Sequence, residues 1–561
     1  MLINEKLIKR FNFIYPEGYP QELIASLAQV IEATKQKVEI GTTKWDEQDI
    51  VLITYGDSIL EDGKTPLSSL NNFLKKWLGD SLSYVHILPF FPYSSDDGFS
   101  VINYMQVDPK LGDWRDVGEL KKNYKLMFDL VINHISQYSE WYKNYQQGIS
   151  PGAGFFIEAD PKEDLSMVVR PRSLPLLTPV NTPEGKKHVW TTFSEDQIDL
   201  NFSNPKLMVE MIKIFLYYFE QGATMIRLDA IAFLWKEIGT NCLHLPQTHE
   251  FVKLLRDITD YISPGFILLT ETNVPNKENL SYFGNNDEAN MVYQFSLPPL
   301  LLHALYTGNS RYLAQWAETV PSLPEECTFF NFTASHDGVG VRPLEGLVPK
   351  TELDKLVSGM KSFGGKVNTK RNSDGSDSPY ELNITYFDAL KGTNEGEDEL
   401  QELRFICSQT VMMSVIGVPA FYIHSLLATK NYSEGVEQTG MNRTINRRKW
   451  KVDELDSFLT GDSHHNRVLN ELLKRINIRK KQKAFHPSSS QQVLKLSDKA
   501  FGISRGDGDL TAIFNMSNQE LTEALPFLRN KKRKDLIEDK SYQFDESGQV
   551  TLAPYQALWL V

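Results

Sequence analysis

Cysteine is scarce in this chain: Cys242, Cys327 and Cys407 are the only three in 561 residues. They are widely spaced and odd in number, which excludes a disulfide-stapled secreted scaffold, offers no metal-ligand spacing, and fits a reducing compartment. Basic charge is outweighed, since 59 Lys and Arg against 72 Asp and Glu give a formal charge of −13. That excludes a general affinity for nucleic acid or anionic membrane. No secretory leader is visible, because "MLINEKLIKRF" interrupts its apolar residues with charge from Glu5 onward. Long hydrophobic runs are missing too. The nearest to a membrane span, "VMMSVIGVPAFYIHSLLA" from Val411, is split by Gly417-Val418-Pro419 and contains His424. It reads as a helix end, a turn and a buried strand. The expectation is a cytoplasmic protein with no membrane partner.

What the chain does have is a repeated alternation of short apolar runs and amphipathic helical stretches. The candidate strands begin at Val51, Tyr84, Lys125, Thr224, Phe266, Met291, Thr328 and Val418. Eight such runs with helices between them predict an α/β fold, a (β/α)₈ barrel with inserted subdomains after strands 3 and 7 and a C-terminal antiparallel β domain. The expected division is a helical extension over 1–46, a barrel over 47–136 and 202–485, and an insertion over 137–201. A loop subdomain over 338–390, including the polar run "TKRNSDGSDSP" as a mobile cover for a site, and a β domain over 486–561 complete it.

One strand carries the question that organises the rest. In "GATMIRLDAIAF", Gly222 to Phe233, Arg227 and Asp229 fall on the same face of a run that otherwise reads as buried. A buried charged pair is costly unless it is hydrogen-bonded or has chemistry to do. Other ionisable groups sit at the same ends of neighbouring strands: Asp129 to His134 after the third, Glu271 after the fifth, Ser335-His336-Asp337 after the seventh. A barrel gathers those ends into one site.

This set, in this order, resembles glycoside hydrolase family thirteen, the α-amylase family of retaining glycosidases and transglycosylases. The resemblance implies Asp229 as nucleophile, Glu271 as general acid and then base, and Asp337 as the group that holds sugar hydroxyls in an oxocarbenium-like transition state. Arg227 is expected to keep Asp229 anionic by lowering its pKa, whereas Glu271, with no cation beside it in sequence, must start protonated. "HILPFFPYSSDDGFS", "DPKLGDW", "RLDAIAFLWKEIGT" and "ASHDGVGV" look like the sucrose phosphorylase subfamily. That likeness implies donor-glucose contacts from Asp96 and Arg447 (distal hydroxyls), Phe99 and Phe193 (apolar walls), Gln197, His134, Arg227 and His336. It also implies Arg172 as a phosphate-binding loop arginine, with Tyr380 and Glu381 on the acceptor side.

A phosphorylase needs such a cation so that phosphate, not water, captures the glucosyl-enzyme. One departure matters: Ser378-Pro379-Tyr380-Glu381 stands where sucrose phosphorylases carry Asp-Leu-Tyr-Gln. "SPYE", the N-terminal extension and "TETNVPNKENLSYFG" look instead like the glucosylglycerate phosphorylase branch. The expected partners are then a small glucoside and inorganic phosphate, with the protein a monomer or homodimer. Sucrose or glucosylglycerol phosphorolysis, and glucoside hydrolysis or transglycosylation, are the alternatives; a non-catalytic scaffold disagrees with three intact carboxylates. Glu381 facing an anionic acceptor has no explanation in the sequence unless a base such as Arg371 takes it. Asn133 holds a position that helps bind calcium in many amylases, but the other ligands are not apparent, so no metal and no cofactor is expected. "GISRG" at Gly502 and "RNKKRK" at Arg529 read as a chance esterase pattern and a solvated turn.

Overall fold

The computed structural model describes residues 3–172, 174–371 and 376–561, the side chain of Arg371 excepted. The eight apolar runs form eight parallel strands: β1 (Val51–Thr54), β2 (Tyr84–Ile87), β3 (Lys125–Val131), β4 (Ala223–Asp229), β5 (Ile267–Thr270), β6 (Met291–Tyr293), β7 (Thr328–Asn331) and β8 (Val418–Tyr422). They close in sequence order, with β1 pairing both β2 and β8. Strands buried on both faces need continuous apolar side chains, and Val51, Leu52, Ile53, Ile226, Leu228, Leu268 and Leu269 are all fully buried.

Register fixes which charges meet. Asp129 on β3 lies opposite Arg227 on β4, and Val131 opposite Asp229, after a shift in the ladder between Leu126 and Met127. Two expected strand ends are shorter than the apolar runs. β7 stops at Asn331, so Asp337 sits in the loop beyond it. His134–Ser136 leaves β3 as a separate strand that pairs antiparallel with Gln197–Asp199. That pairing ties the 137–201 segment to the barrel rim. Within the segment, a helix (Glu140–Gln147) precedes a hairpin of Leu177–Thr182 with Gly185–Trp190.

The first two helices lie against the barrel's outer ring. In α1 (Ile3–Ile14) the buried residues Leu7, Phe11 and Ile14 follow helical spacing, and Arg10 donates to Glu250 and Asp257 at 2.8 Å each. In α2 (Glu22–Lys37) Leu27, Ile31 and Thr34 face inward, with Thr34 donating to Glu220 at 2.7 Å. After β7, a helix (Lys350–Ser362) leads into a hairpin of Lys366–Arg371 with Asp377–Asn383, whose second strand also pairs with Val339–Gly340. This hairpin carries Tyr380 and Glu381; residues 372–375 of the polar run lie outside the described residues. The chain ends in a six-stranded sheet, antiparallel at every pairing, and the "GISRG" run lies largely in one of its strands, Ala500–Arg505. Among the described residues no helix is long and apolar enough to cross a membrane.

Candidate active site

A cavity opens at the C-terminal ends of the barrel strands, where a (β/α)₈ fold places its chemistry. Asp96, Phe99, His134, Arg172, Phe193, Gln197, Arg227, Asp229, Glu271, His336, Asp337, Tyr380 and Glu381 all line it, as the sequence leads one to expect. Of the expected residues, Arg447 alone does not.

Arg227, 3 % exposed, is the hub. Its Nη1 donates to Asp129 and, at 2.8 Å, to Asp229 Oδ1, while Nη2 lies 3.8 Å from Glu271 Oε2. Glu271 therefore has a cation nearby that its sequence neighbours do not show. Ala230 turns the chain out of β4 at φ 50°, and its N–H donates to Glu271 Oε2 at 3.0 Å. A left-handed alanine is strained, which is tolerated where the surroundings fix it. Here the turn holds the two carboxylates side by side.

Arg227 does lower the Asp229 pKa, as expected, but burial outweighs it. Burial pushes Asp229 up to about 8; Arg227 opposes it and Glu271 adds to it. Glu271 is raised as well, by burial first, against the pull of Arg227. Both carboxyls are thus raised, and the two titrate as a pair. Of the two, Asp229 has the closer cation: Arg227 stands 2.8 Å from it and 3.8 Å from Glu271, which favours the charge on Asp229. Asp337 behaves differently. Burial pushes it up, but the guanidinium groups around it, Arg443 first and then Arg447 and Arg227, outweigh burial and hold it below the ordinary carboxylate range.

Around these acids, Phe99 stacks on His336 with ring centroids 4.7 Å apart, and His134 Nε2 sits 2.8 Å from the Phe99 carbonyl. Gln197 Nε2 donates to the same carbonyl at 3.0 Å and to Asp96 Oδ2 at 3.3 Å. Burial lowers both histidines, His336 to about 3, so each is a neutral hydrogen-bonding group. Asp96 is held low because Arg172, Arg443 and Arg447 together outweigh its burial. It occupies a tight loop with positive φ at Asp96 and Asp97, followed by Gly98 at φ 108°, where a Cβ would stand 2.5 Å from the Pro89 carbonyl oxygen.

Three residues change the expected picture. Arg447 reaches Asp97 Oδ2 at 2.5 Å and the His336 carbonyl at 2.9 Å, standing behind the wall as a brace. Arg443, four residues earlier on the turn Asn442–Asn446, faces the cavity instead, and pairs with Asp337 at 2.6 Å and with Glu381. "MNRTINRR" offers several arginines, and nothing in its spacing says which one turns inward. Glu381 thus has its base in Arg443; the Arg371 side chain lies outside the described residues. Asn273, Phe295 and Phe332 also line the cavity; as unexceptional residues in loops they carry no signal in the sequence.

The third is Lys236, from "FLWKEIG". Its ammonium donates to Asn133 Oδ1 at 2.6 Å and the Phe233 carbonyl at 2.5 Å, and pairs with Asp199 Oδ2 at 2.6 Å. An internal cation therefore meets Asn133, and it bridges the barrel to the 137–201 segment. Among the described residues no cluster fit to hold a metal occurs. Lys236→Met is expected to leave Asp199, fully buried, without its counter-ion, at a cost of about 3–5 kcal/mol. Thermal unfolding checks this: an unchanged midpoint would mean that the pair is dispensable.

Residues 74–338 match the family model described as the α-amylase catalytic domain. The chain belongs to the α-amylase family, glycoside hydrolase family thirteen. It is 42 % identical to a glucosylglycerate phosphorylase of Escherichia coli (strain K12) over 100 % of both chains. It is 43 % identical to the glucosylglycerate phosphorylase of Spirochaeta thermophila over 93 % of this chain and 91 % of that one. A sucrose phosphorylase of Streptococcus mutans is 31 % identical over 72 % of this chain and 82 % of its own. Among solved structures, sucrose 6F-phosphate phosphorylase from Thermoanaerobacter thermosaccharolyticum superposes with a TM-score of 0.75 at 24 % identity, covering 90 % of this chain and 99 % of that one.

Proposed function

We propose that the protein is a retaining glycoside phosphorylase that cleaves 2-O-α-D-glucosylglycerate with inorganic phosphate, giving α-D-glucose 1-phosphate and D-glycerate. The observation that carries the reading is the convergence of Asp229, Glu271 and Asp337 on one cavity that also holds Arg172 and Tyr380, in a chain matching glucosylglycerate phosphorylases end to end.

Asp229, the carboxylate hydrogen-bonded to Arg227, attacks the anomeric carbon while protonated Glu271 gives its proton to the glycosidic oxygen and glycerate departs. Phosphate then attacks the β-glucosyl ester; Glu271, now a base, takes the phosphate proton and Asp229 is released. Two inversions return the α configuration. Asp337, kept anionic by Arg443, accepts from the glucose hydroxyls, and His134, His336 and Gln197 add further contacts. Asp96 serves the distal end, with Arg447 bracing that loop through Asp97. Phe99 and Phe193 wall the ring, and Arg172 with Tyr380 receives the anions. No cofactor enters these steps. The same reading places the enzyme in the cytoplasm as a monomer or homodimer, supported there by three cysteines that are buried and free.

The test incubates the protein with α-glucosylglycerate, sucrose and glucosylglycerol, each with and without phosphate. Glucose 1-phosphate from glucosylglycerate only when phosphate is present is the expected result. Free glucose formed without phosphate would make it a hydrolase, and sucrose as best substrate would reassign the branch. Arg172→Ala is expected to raise the phosphate KM about tenfold or more, the loss of one charge-assisted contact, with a smaller change in kcat. A phosphate KM equal to wild type would return Arg172 to an ordinary loop residue.

A further inference from the structure

Glu381 looked like an acceptor contact and an awkward one, since it would face an anion. Its carboxylate is 2 % exposed and already engaged. Arg443 Nε and Nη2 donate to its two oxygens at 3.1 and 2.7 Å, and Asn368 Nδ2 adds a bond of 3.3 Å. This side-on, two-point grip fixes the plane of the guanidinium. The same guanidinium reaches Asp337 Oδ1 through Nη1 at 2.6 Å.

The other basic side chains are farther from Asp337. His336 Nε2 stands 3.4 Å away and is neutral, and Arg447 Nη2 is 4.0 Å away. Arg443 is therefore the principal partner of Asp337, and Glu381 decides how Arg443 is turned. The backbone reinforces the link: a Cβ on Gly338, next to Asp337, would stand 2.6 Å from Glu381 Cγ and 2.4 Å from the Leu382 carbonyl oxygen. The hairpin strand and the loop after β7 are in contact at this point.

Asp337 has to offer oxygen lone pairs to sugar hydroxyls. An Arg443 shared with Glu381 gives it one ion-pair contact, through Nη1 to Oδ1, and leaves its other oxygen free. An Arg443 released from Glu381 satisfies itself by turning its two-point fork onto Asp337, closing that carboxylate to the sugar. We infer that Glu381 is a positioning residue for the donor glucose, acting through Arg443 on Asp337, and not a contact of the acceptor. The inference rests on the proposed role of Asp337 in holding the donor and is independent of which acceptor the enzyme uses.

The experiment is a double-mutant cycle of Glu381→Gln and Arg443→Ala, with kcat/KM for the donor and KM for phosphate measured in phosphorolysis, and KM for glycerate in the reverse direction. Glu381→Gln is expected to lower donor kcat/KM at least about tenfold, as a charged hydrogen-bonded contact is lost. Acceptor KM values should stay within about twofold, and Glu381→Gln should add less than about twofold on top of Arg443→Ala, because the pair acts as one unit. Glu381→Asp, which keeps the carboxylate, should recover part of the loss and serves if the Gln variant does not fold. A rise in acceptor KM with the donor term unchanged, or additive losses in the cycle, would overturn the inference. If wild type transfers glucose to a different acceptor, only the proposed substrate falls, and the same cycle is read with that acceptor.

Discussion

Asp229→Asn is expected to yield a folded protein whose kcat is about 10⁴ to 10⁶ times lower than wild type, the scale seen when a covalent nucleophile is removed. The amide keeps the shape of the carboxyl and accepts from Arg227, whose other bond to Asp129 is untouched. What it loses is the attacking oxygen. Mass spectrometry of wild type reacted with a donor whose second step is slow should find a hexose on the peptide that carries Asp229. A hexose on Glu271 instead would reverse the two roles. The same variant should be more stable at high pH. The pair of carboxyls holds its last proton to higher pH in the folded protein, Asp229 being pushed up to about 8 and Glu271 raised as well, than in an unfolded chain, where each titrates near about 4. A raised carboxyl binds its proton more tightly when folded, so its stabilising contribution is complete below about pH 4 and is lost as pH rises through about 8. Asparagine does not ionise. Its melting temperature should exceed that of wild type near pH 8, and the gap should shrink toward pH 4. A gap that widens on acidification would contradict the burial argument.

Glu271→Gln should lose about 10²- to 10⁴-fold in kcat, the usual reach of a positioned proton donor. The loss should depend on the leaving group. With an aryl glucoside, whose oxygen departs without a proton, the first step should be nearly restored; with glucosylglycerate it should not. An equal loss with both donors would remove Glu271 from the acid role. Wild-type kcat/KM should fall at high pH as Glu271 gives up its proton, and burial puts that fall above the ordinary carboxyl range. The variant should lack that limb.

The barrel was legible because its signal is local and repeated. A strand buried on both faces must be largely apolar, and each of the eight runs from Val51 to Val418 is mostly of that kind. The Arg227 and Asp229 pair was legible for the opposite reason: two charges break such a run, and alternation puts them on one face. Strand ends were less so. β7 stops at Asn331, and His134 opens a new strand, because pairing with Gln197–Asp199 replaces the barrel ladder there, and that partner is more than sixty residues away in the chain.

The sequence by itself determined the barrel and the order of its staves, which follow from periodicity, and it placed ionisable groups at the strand ends; the roles given to Asp229, Glu271 and Asp337 come from the family resemblance. Only the tertiary structure decided the wiring of charge. It chose Arg443 over Arg447 to face the cavity, gave Glu381 a guanidinium and Asp199 an ammonium, and let burial outweigh Arg227 at Asp229. Coulomb energies and desolvation depend on distances of a few ångström between groups far apart in the chain, and no linear pattern encodes those distances.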